Sequence, residues 1–157
     1  MSRSAVKVAP TEKITDVARL MRDQSISSVL VCEPSGELVG ILTERDLAHK
    51  IIAEGLACEG LCTGDFMTRN PVTADSRDRV WEGARLMAEN RIRHLPITRN
   101  GAPVGVITAN DISGMETDPT PTRDVIRGLE ATSRERTVEI PVAVGASDLS
   151  EIIPAWY

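Results

Sequence analysis

An internal duplication constrains this 157-residue chain more than any other feature of its sequence. The segment Ala18–Met21 (Ala-Arg-Leu-Met) recurs unchanged as Ala84–Met87, and Gly40–Thr43 (Gly-Ile-Leu-Thr) recurs as Gly105–Thr108 (Gly-Val-Ile-Thr). Such self-similarity indicates a repeat architecture, in which each copy is one supersecondary unit. A single copy of about 50 residues buries too little surface to be stable alone. The duplication therefore predicts a pseudo-twofold pair of copies that pack sheet to sheet around a shared core.

The hydrophobic pattern within each copy predicts the order strand, helix, strand, strand, helix. In the first helix, apolar residues at i, i+3, i+4 and i+7 form one buried stripe. The stripe residues are Ile14, Val17, Ala18 and Met21 in the first copy, and Val80, Gly83, Ala84 and Met87 in the second. Two strands are predicted after this helix, at 28–31 and 38–42, and again at 95–98 and 104–107. A closing helix is predicted at 43–53 and at 108–115, so the fold class is α/β (α+β).

The two copies divide the chain into four predicted segments: a first domain at 1–53, a connector at 54–64, a second domain at 65–116 and a C-terminal extension at 117–157. Three glycines mark the connector. The extension belongs to neither copy and carries no recognisable chemistry. Its alternating apolar residues favour a strand, which Pro141 restricts to a sheet edge. We expect the extension to pack on the rest of the module or on a dimer partner.

Charge and composition exclude several classes of function. The net charge of −5, without a run of basic residues, argues against broad binding to nucleic acid. No window approaches the roughly 18 apolar residues of a membrane span, and no apolar signal region opens the chain. Three cysteines, an odd number, fit reduced thiols better than a disulfide scaffold. We therefore expect a cytoplasmic protein with neither a membrane nor a nucleic acid as partner.

Cys58 and Cys62 are the sequence feature closest to a metal or redox site. Only His49 and His94 could join them as ligands, and structural zinc normally needs four close ligands. Two free thiols in a connector are the favoured interpretation. No metal site is predicted.

The repeated motif, Gly-apolar-apolar-Thr-x-x-Asp, lies at Gly40–Asp46 and at Gly105–Asp111. Thr-x-x-Asp is first of all a capping box, in which the Thr hydroxyl and the Asp carboxylate satisfy backbone donors at a helix start. The same residues also suit a ligand. A helix N-terminus attracts phosphate, and an acidic side chain can accept both hydroxyls of a ribose. Retention of the whole motif in both copies favours the ligand interpretation.

These strings resemble the CBS domain. Gly40–Leu47 and Gly105–Ile112 are similar to the end of such a domain, Phe66–Val72 to its lead-in, and Arg91–Ile97 to its middle strand. The resemblance extends over residues 4–115, roughly three quarters of the chain. It implies a pair of domains with two clefts between them. It also implies a regulatory or sensing role in which AMP, ADP, ATP or S-adenosylmethionine is the ligand, with no cofactor required.

In the first implied site, Asp111 binds the ribose and Thr108 the phosphate, while Arg93 and His94 supply positive charge. The adenine is lined by backbone from the other copy. The remaining candidates of this site are Ile26, Ser27, Ser28 and Asn110.

In the second implied site, Asp46 and Thr43 take the ribose and phosphate roles. The base is flanked by Met67, Val72 and Ile92. Ser27 and Ser28 stand where the other copy has Arg93 and His94, so this site has few cations, with Arg45 as the one that could compensate. The lead-in that would close the Asp111 cleft is missing before Ser4. We expect unequal occupancy that favours Asp111.

The sequence gives little support for an enzyme. It contains no recognisable Ser–His–Asp or Cys–His arrangement and no phosphate-binding glycine loop. Asp46 and Asp111 belong to separate sites and cannot act as an acid–base pair. The resemblance implies a homodimer, as a disc of four domains, together with an unidentified protein target. The alternative is a structural dimerisation module whose clefts stay empty, since capping also explains the motif.

Overall fold

The computed structural model describes residues 5–113, which divide into two units at Pro71 and Val72. The first unit contains strand β1 (Lys7–Val8), helix α1 (Ile14–Gln24), strands β2 (Ser28–Cys32) and β3 (Leu38–Thr43), helix α2 (Glu44–Leu47), a π-helical segment (Ala48–Ile52), helix α3 (Thr63–Phe66) and strand β4 (Thr68–Arg69). The second unit contains β5 (Ala74–Asp75), α4 (Val80–Asn90), β6 (His94–Arg99), β7 (Ala102–Thr108) and α5 (Ala109–Ser113). The predicted order of strands and helices is confirmed in both copies. The predicted extension at 117–157 lies outside the described residues.

Both units build the same three-stranded arrangement, to which the first unit adds a fourth strand. In the first, β1 pairs parallel to β2, β2 antiparallel to β3, and β3 antiparallel to β4. In the second, β5 pairs parallel to β6, and β6 antiparallel to β7. The register is also the same, because Ser28 lies opposite Thr43 and His94 lies opposite Thr108. The two copies recognised in the sequence therefore share the same strand pairing and register.

Buried apolar side chains form a cluster within each unit, and the core that the copies are predicted to share remains a prediction. The first cluster includes the α1 stripe residues Ile14, Val17 and Met21. The second includes the α4 stripe residues Val80, Ala84 and Met87. Each helix lays its stripe on its own sheet, so each copy covers one sheet face by itself. Full burial of a Leu or Ile side chain contributes about 1.5–3 kcal/mol, which gives each cluster a substantial driving force.

The two long helices end in the same way, and this ending positions the strand that follows. Ser25 after α1 has a φ of 51° and Arg91 after α4 has a φ of 54°, both left-handed. The amides of Ile26 and Ile92 then donate to the carbonyl oxygens of Met21 and Met87. This turn satisfies carbonyl groups that the helix leaves open and directs the chain into β2 or β6.

The second half of the predicted connector folds onto the first unit. The amide of Ile14 donates to the Leu61 carbonyl at 3.0 Å, and the amide of Thr63 donates to the Glu12 carbonyl at 2.8 Å. Thr63 is fully buried, and its hydroxyl donates to the same Glu12 oxygen. Helix α3 follows, and the lead-in adds β4 to the edge of β3. The domain limits given by the sequence remain predictions.

Candidate functional site

The first copy of the repeated motif forms a complete capping box at the start of α2. Oδ2 of Asp46 accepts from the Thr43 amide at 2.9 Å and from the Thr43 hydroxyl at 2.7 Å. In return, the Asp46 amide donates to the Thr43 hydroxyl oxygen at 3.2 Å. The capping interpretation of the motif is thus correct in this copy, and it uses one carboxylate oxygen of Asp46.

The second copy repeats this geometry at the start of α5. Oδ2 of Asp111 accepts from the Thr108 amide at 2.7 Å and from the Thr108 hydroxyl at 2.8 Å. The Asp111 amide donates to the Thr108 hydroxyl oxygen at 3.3 Å. Thr108 and Asp111 are both partly exposed. The bonds to Thr108 do not occupy Oδ1 of Asp111.

Strand pairing brings the predicted cations of the second copy to its motif. His94 lies opposite Thr108 in the β6–β7 ladder, and the amide of Ala109 donates to the Arg93 carbonyl at 3.0 Å. Arg93, His94 and Asp111 are each partly exposed, and Asn110 is exposed on α5. Five of the predicted site residues therefore belong to one local arrangement within the second unit.

The first copy has the same arrangement with different side chains. Ser28 lies opposite Thr43, and the amide of Glu44 donates to the Ser27 carbonyl at 3.0 Å. Ser27 and Ser28 stand where the second copy has Arg93 and His94, and Arg45 is exposed on α2. The two copies therefore differ in charge at these equivalent positions, and the effect of this difference on a ligand remains a prediction.

The predicted base-flanking residues lie in different surroundings. Met67 is 7% exposed and belongs to the first cluster, against which Ile26 also packs. Val72 and Ile92 are partly buried against the second cluster. Their contact with a base remains a prediction.

Lys50 is a site residue that the sequence analysis did not single out. Its Nζ lies 2.7 Å from Oδ1 of Asp46 and 2.8 Å from the carbonyl oxygen of Phe66, to which it donates. The Lys50 side chain is 41% exposed and that of Asp46 is 14% exposed. An Asp followed by a Lys four residues later on a predicted helix was the available signal. Sequence spacing could not predict the bond to Phe66, because Phe66 follows the connector and its position depends on how the connector folds.

The cysteines are free thiols in the structure: Cys32 is buried, Cys58 exposed and Cys62 partly exposed. Burial raises the pKa of the Cys32 thiol, and Lys7 opposes that shift weakly. Among the described side chains, no group of three or more His, Cys, Asp or Glu residues could hold a metal ion. Within residues 5–113, no helix has the length and apolar character needed to cross a bilayer.

Two copies of one β-α-β-β-α unit, each ending in a Thr–Asp capping box, define a duplicated fold of a known type. The chain belongs to the CBS domain family, whose model matches residues 1–53 and 64–115. The resemblance read from the repeated motif is therefore confirmed.

Relatives and solved structures agree with this assignment. The uncharacterized protein MK0525 of Methanopyrus kandleri is 34% identical over 115 residues, which are 73% of this chain and 59% of that protein. An inosine-5′-monophosphate dehydrogenase of Korarchaeum cryptofilum is 33% identical over 123 residues, which are 78% of this chain and 24% of the enzyme. The matched region thus covers less than two thirds of either relative.

A solved structure of the CBS domain pair of protein MJ0100 holds 5′-methylthioadenosine and S-adenosyl-L-methionine. It is 27% identical to this chain, with a TM-score of 0.65, and the match covers 72% of this chain and 88% of that one. The predicted fold class of two CBS repeats is confirmed by this similarity and by the family match.

Proposed function

We propose that this chain is a non-enzymatic regulatory module that binds an adenosine-containing ligand through its two Thr–Asp motifs. The candidate ligands are AMP, ADP, ATP and S-adenosylmethionine. The observation that carries the proposal is the Thr108–Asp111 box beside Arg93 and His94, in which capping uses Oδ2 of Asp111 and does not use Oδ1.

The chemistry of a nucleoside fits this arrangement. A ribose presents two adjacent hydroxyl donors, and an ionised carboxylate offers about four acceptor positions on its two oxygens. The two bonds from Thr108 fill positions on Oδ2, so a ribose hydroxyl would donate to Oδ1. A phosphate would gain from charge-assisted bonds to Arg93 and from a hydrogen bond to the His94 imidazole. The ligands bound by the similar MJ0100 pair contain the same nucleoside, which supports the choice of ligand class.

The proposed mechanism is linkage. A ligand that binds one arrangement of the two repeats more tightly shifts the population toward that arrangement. We propose that a homodimer or a protein target reads the shift. The exposed Trp81, with the Arg85 guanidinium 5.9 Å from the centre of its ring, supports a contact surface on α4. The proposed location is the cytoplasm, where reduced cysteines are expected.

One specific observation favours a second candidate function. Both motifs form complete capping boxes, so helix capping accounts for Thr43, Asp46, Thr108 and Asp111 without any ligand. The chain would then be a structural dimerisation module whose sites stay empty. The two candidate functions make different predictions for Asp46→Ala and Asp111→Ala. Ligand sensing predicts that a folded variant loses ligand binding, whereas a structural module predicts only a loss of stability.

The experiment compares Asp111→Ala and Asp46→Ala with the intact chain in a thermal-shift and calorimetric screen against AMP, ADP, ATP and S-adenosylmethionine. Asp23→Ala is the matched control, because it removes an exposed carboxylate paired with Arg22. Binding by the intact chain and by Asp23→Ala, with the loss of one of the two sites in folded Asp111→Ala and of the other in folded Asp46→Ala, supports ligand sensing. If the intact chain binds none of the four compounds at millimolar concentration, the structural candidate stands and the sensing proposal is wrong.

A further inference from the structure

Lys50 connects the first motif to the lead-in of the second repeat. Its ammonium group lies between Oδ1 of Asp46 and the carbonyl oxygen of Phe66, the last residue of α3. The three residues belong to one unit, since Pro71 ends it. The ion pair is a short charge-assisted contact to a carboxylate that is mostly shielded from water. The Lys50–Asp46 ion pair is therefore a structural contact of the first motif.

This contact reduces what Asp46 can offer to a ligand. Two of its roughly four acceptor positions are filled by the amide and hydroxyl of Thr43, both on Oδ2. Lys50 fills a third position, on Oδ1. A ribose diol that needs two acceptors must then displace Lys50 or accept a single bond. Displacement also removes the bond to the Phe66 carbonyl.

The second motif has no counterpart of Lys50 in the sequence. At the offset of 65 residues that aligns Asp46 with Asp111, Lys50 aligns with Met115, which carries no charge. This asymmetry affects the carboxylate that would bind the ribose. It is therefore independent of the replacement of Arg93 and His94 by two serines, which affects the residues proposed to bind a phosphate.

We infer that Lys50 occupies the ribose-binding oxygen of the first motif and makes it the weaker of two unequal nucleoside sites. The inference rests on the proposed function and adds a residue that sets the affinity of the first site. Removing the ammonium group frees the Asp46 oxygen. It should therefore strengthen nucleoside binding, whereas the loss of a ligand-binding lysine would weaken it.

The test uses calorimetry on the full chain with 5′-methylthioadenosine, an uncharged nucleoside that isolates the ribose contact from phosphate effects. Asp111→Ala serves as the background, so that the remaining binding reports the Asp46 motif. Lys50→Met, the residue found in the second copy, is expected to tighten binding in this background by about fivefold, the size of one partly exposed ion pair. Lys50→Gln retains a donor without the charge and is expected to change affinity in the same direction.

Lys7→Met is the matched control, because it removes an exposed lysine of β1 by the same substitution. Melting curves of each variant show that folding is retained. Unchanged or weaker binding by both folded Lys50 variants overturns the inference and leaves the proposed function standing. A second titration with AMP separates another role: if Lys50→Met weakens AMP binding, Lys50 is a phosphate ligand and the inference is wrong. If the intact chain binds neither 5′-methylthioadenosine nor AMP, the inference is wrong, and the proposed function is then decided by the screen with ADP, ATP and S-adenosylmethionine.

Discussion

The side chain of Met67 fills the space in front of Gly40. An alanine Cβ at position 40 would meet Met67 Sδ, and it would lie 2.8 Å from Met67 Cγ and 3.1 Å from the carbonyl oxygen of Thr68. Gly40 is also the residue at which β3 pairs with Arg69 of β4. The first glycine of the repeated motif thus allows the lead-in strand to approach closely.

Gly40→Ala should therefore destabilise the first unit by about 1–3 kcal/mol, the usual cost of forcing extra volume into a packed site. The free energy of unfolding in urea is the measurement. Met67→Ala opens space next to the new methyl group, so the substitution at position 40 should cost less in that background. An equal cost in both backgrounds would show that the Thr68 carbonyl, and not Met67, is what limits the site.

The sequence predicted the fold well because the fold depends on local signals that occur twice. The α1 stripe at Ile14, Val17 and Met21 and its copy on α4 are buried as expected. Both closing helices begin directly after the motif threonines. Hydrophobic periodicity identifies which face of a helix is buried and not what covers it, so it could not show which sheet each stripe packs against.

Only those features of the candidate site that depend on local, repeated sequence signals were open to prediction. The resemblance named His94 and Thr108 for one site, and the strand register places these two residues opposite each other. The bond from Lys50 to the Phe66 carbonyl was not readable, because the chain must first return through the connector and form α3. Buried Thr63 holds the end of the connector against the first unit through its bond to the Glu12 carbonyl, and no sequence motif marks this residue.

The capping boxes lead to a prediction about stability. Thr108→Ala removes the hydroxyl that accepts from the Asp111 amide and donates to its carboxylate, so it should cost about 1 kcal/mol of unfolding free energy. Thr108→Ser keeps both bonds and should cost much less. Chemical denaturation of the pair measures the difference. Equal stabilities of the alanine and serine variants would contradict the capping role.

The three thiols should differ in reactivity. Cys58 is exposed, whereas Cys32 is buried in β2, and burial raises the pKa of the Cys32 thiol. Because the thiolate is the nucleophile, Cys58 should be alkylated by iodoacetamide at pH 8 well before Cys32. Peptide mass spectrometry at timed intervals measures the order. In urea all three thiols should react at similar rates, and early labelling of Cys32 in the folded protein would show that β2 opens readily.

The start of the second repeat should respond to acid through Asp75 and Arg77. The Arg77 side chain donates to both carboxylate oxygens of Asp75, at 2.8 and 3.2 Å, and its amide donates to Oδ1 at 3.0 Å. These bonds hold the pKa of Asp75 below its ordinary value near 3.8. A carboxyl group with a lowered pKa in the folded state stabilises the fold above its ordinary pKa, and this contribution is lost as the pH falls through the lowered value.

Arg77→Gln should therefore lower the melting temperature slightly at pH 6, and the difference from the intact chain should shrink as the pH falls from about 4 toward 2. Protonation of Asp75 removes the charged partner of the arginine. Arg85→Gln, which removes an exposed arginine from α4, is the control for the general loss of positive charge. A difference for Arg77→Gln that is the same at pH 6 and pH 2.5 would mean that the arginine acts through packing and not through the Asp75 carboxylate.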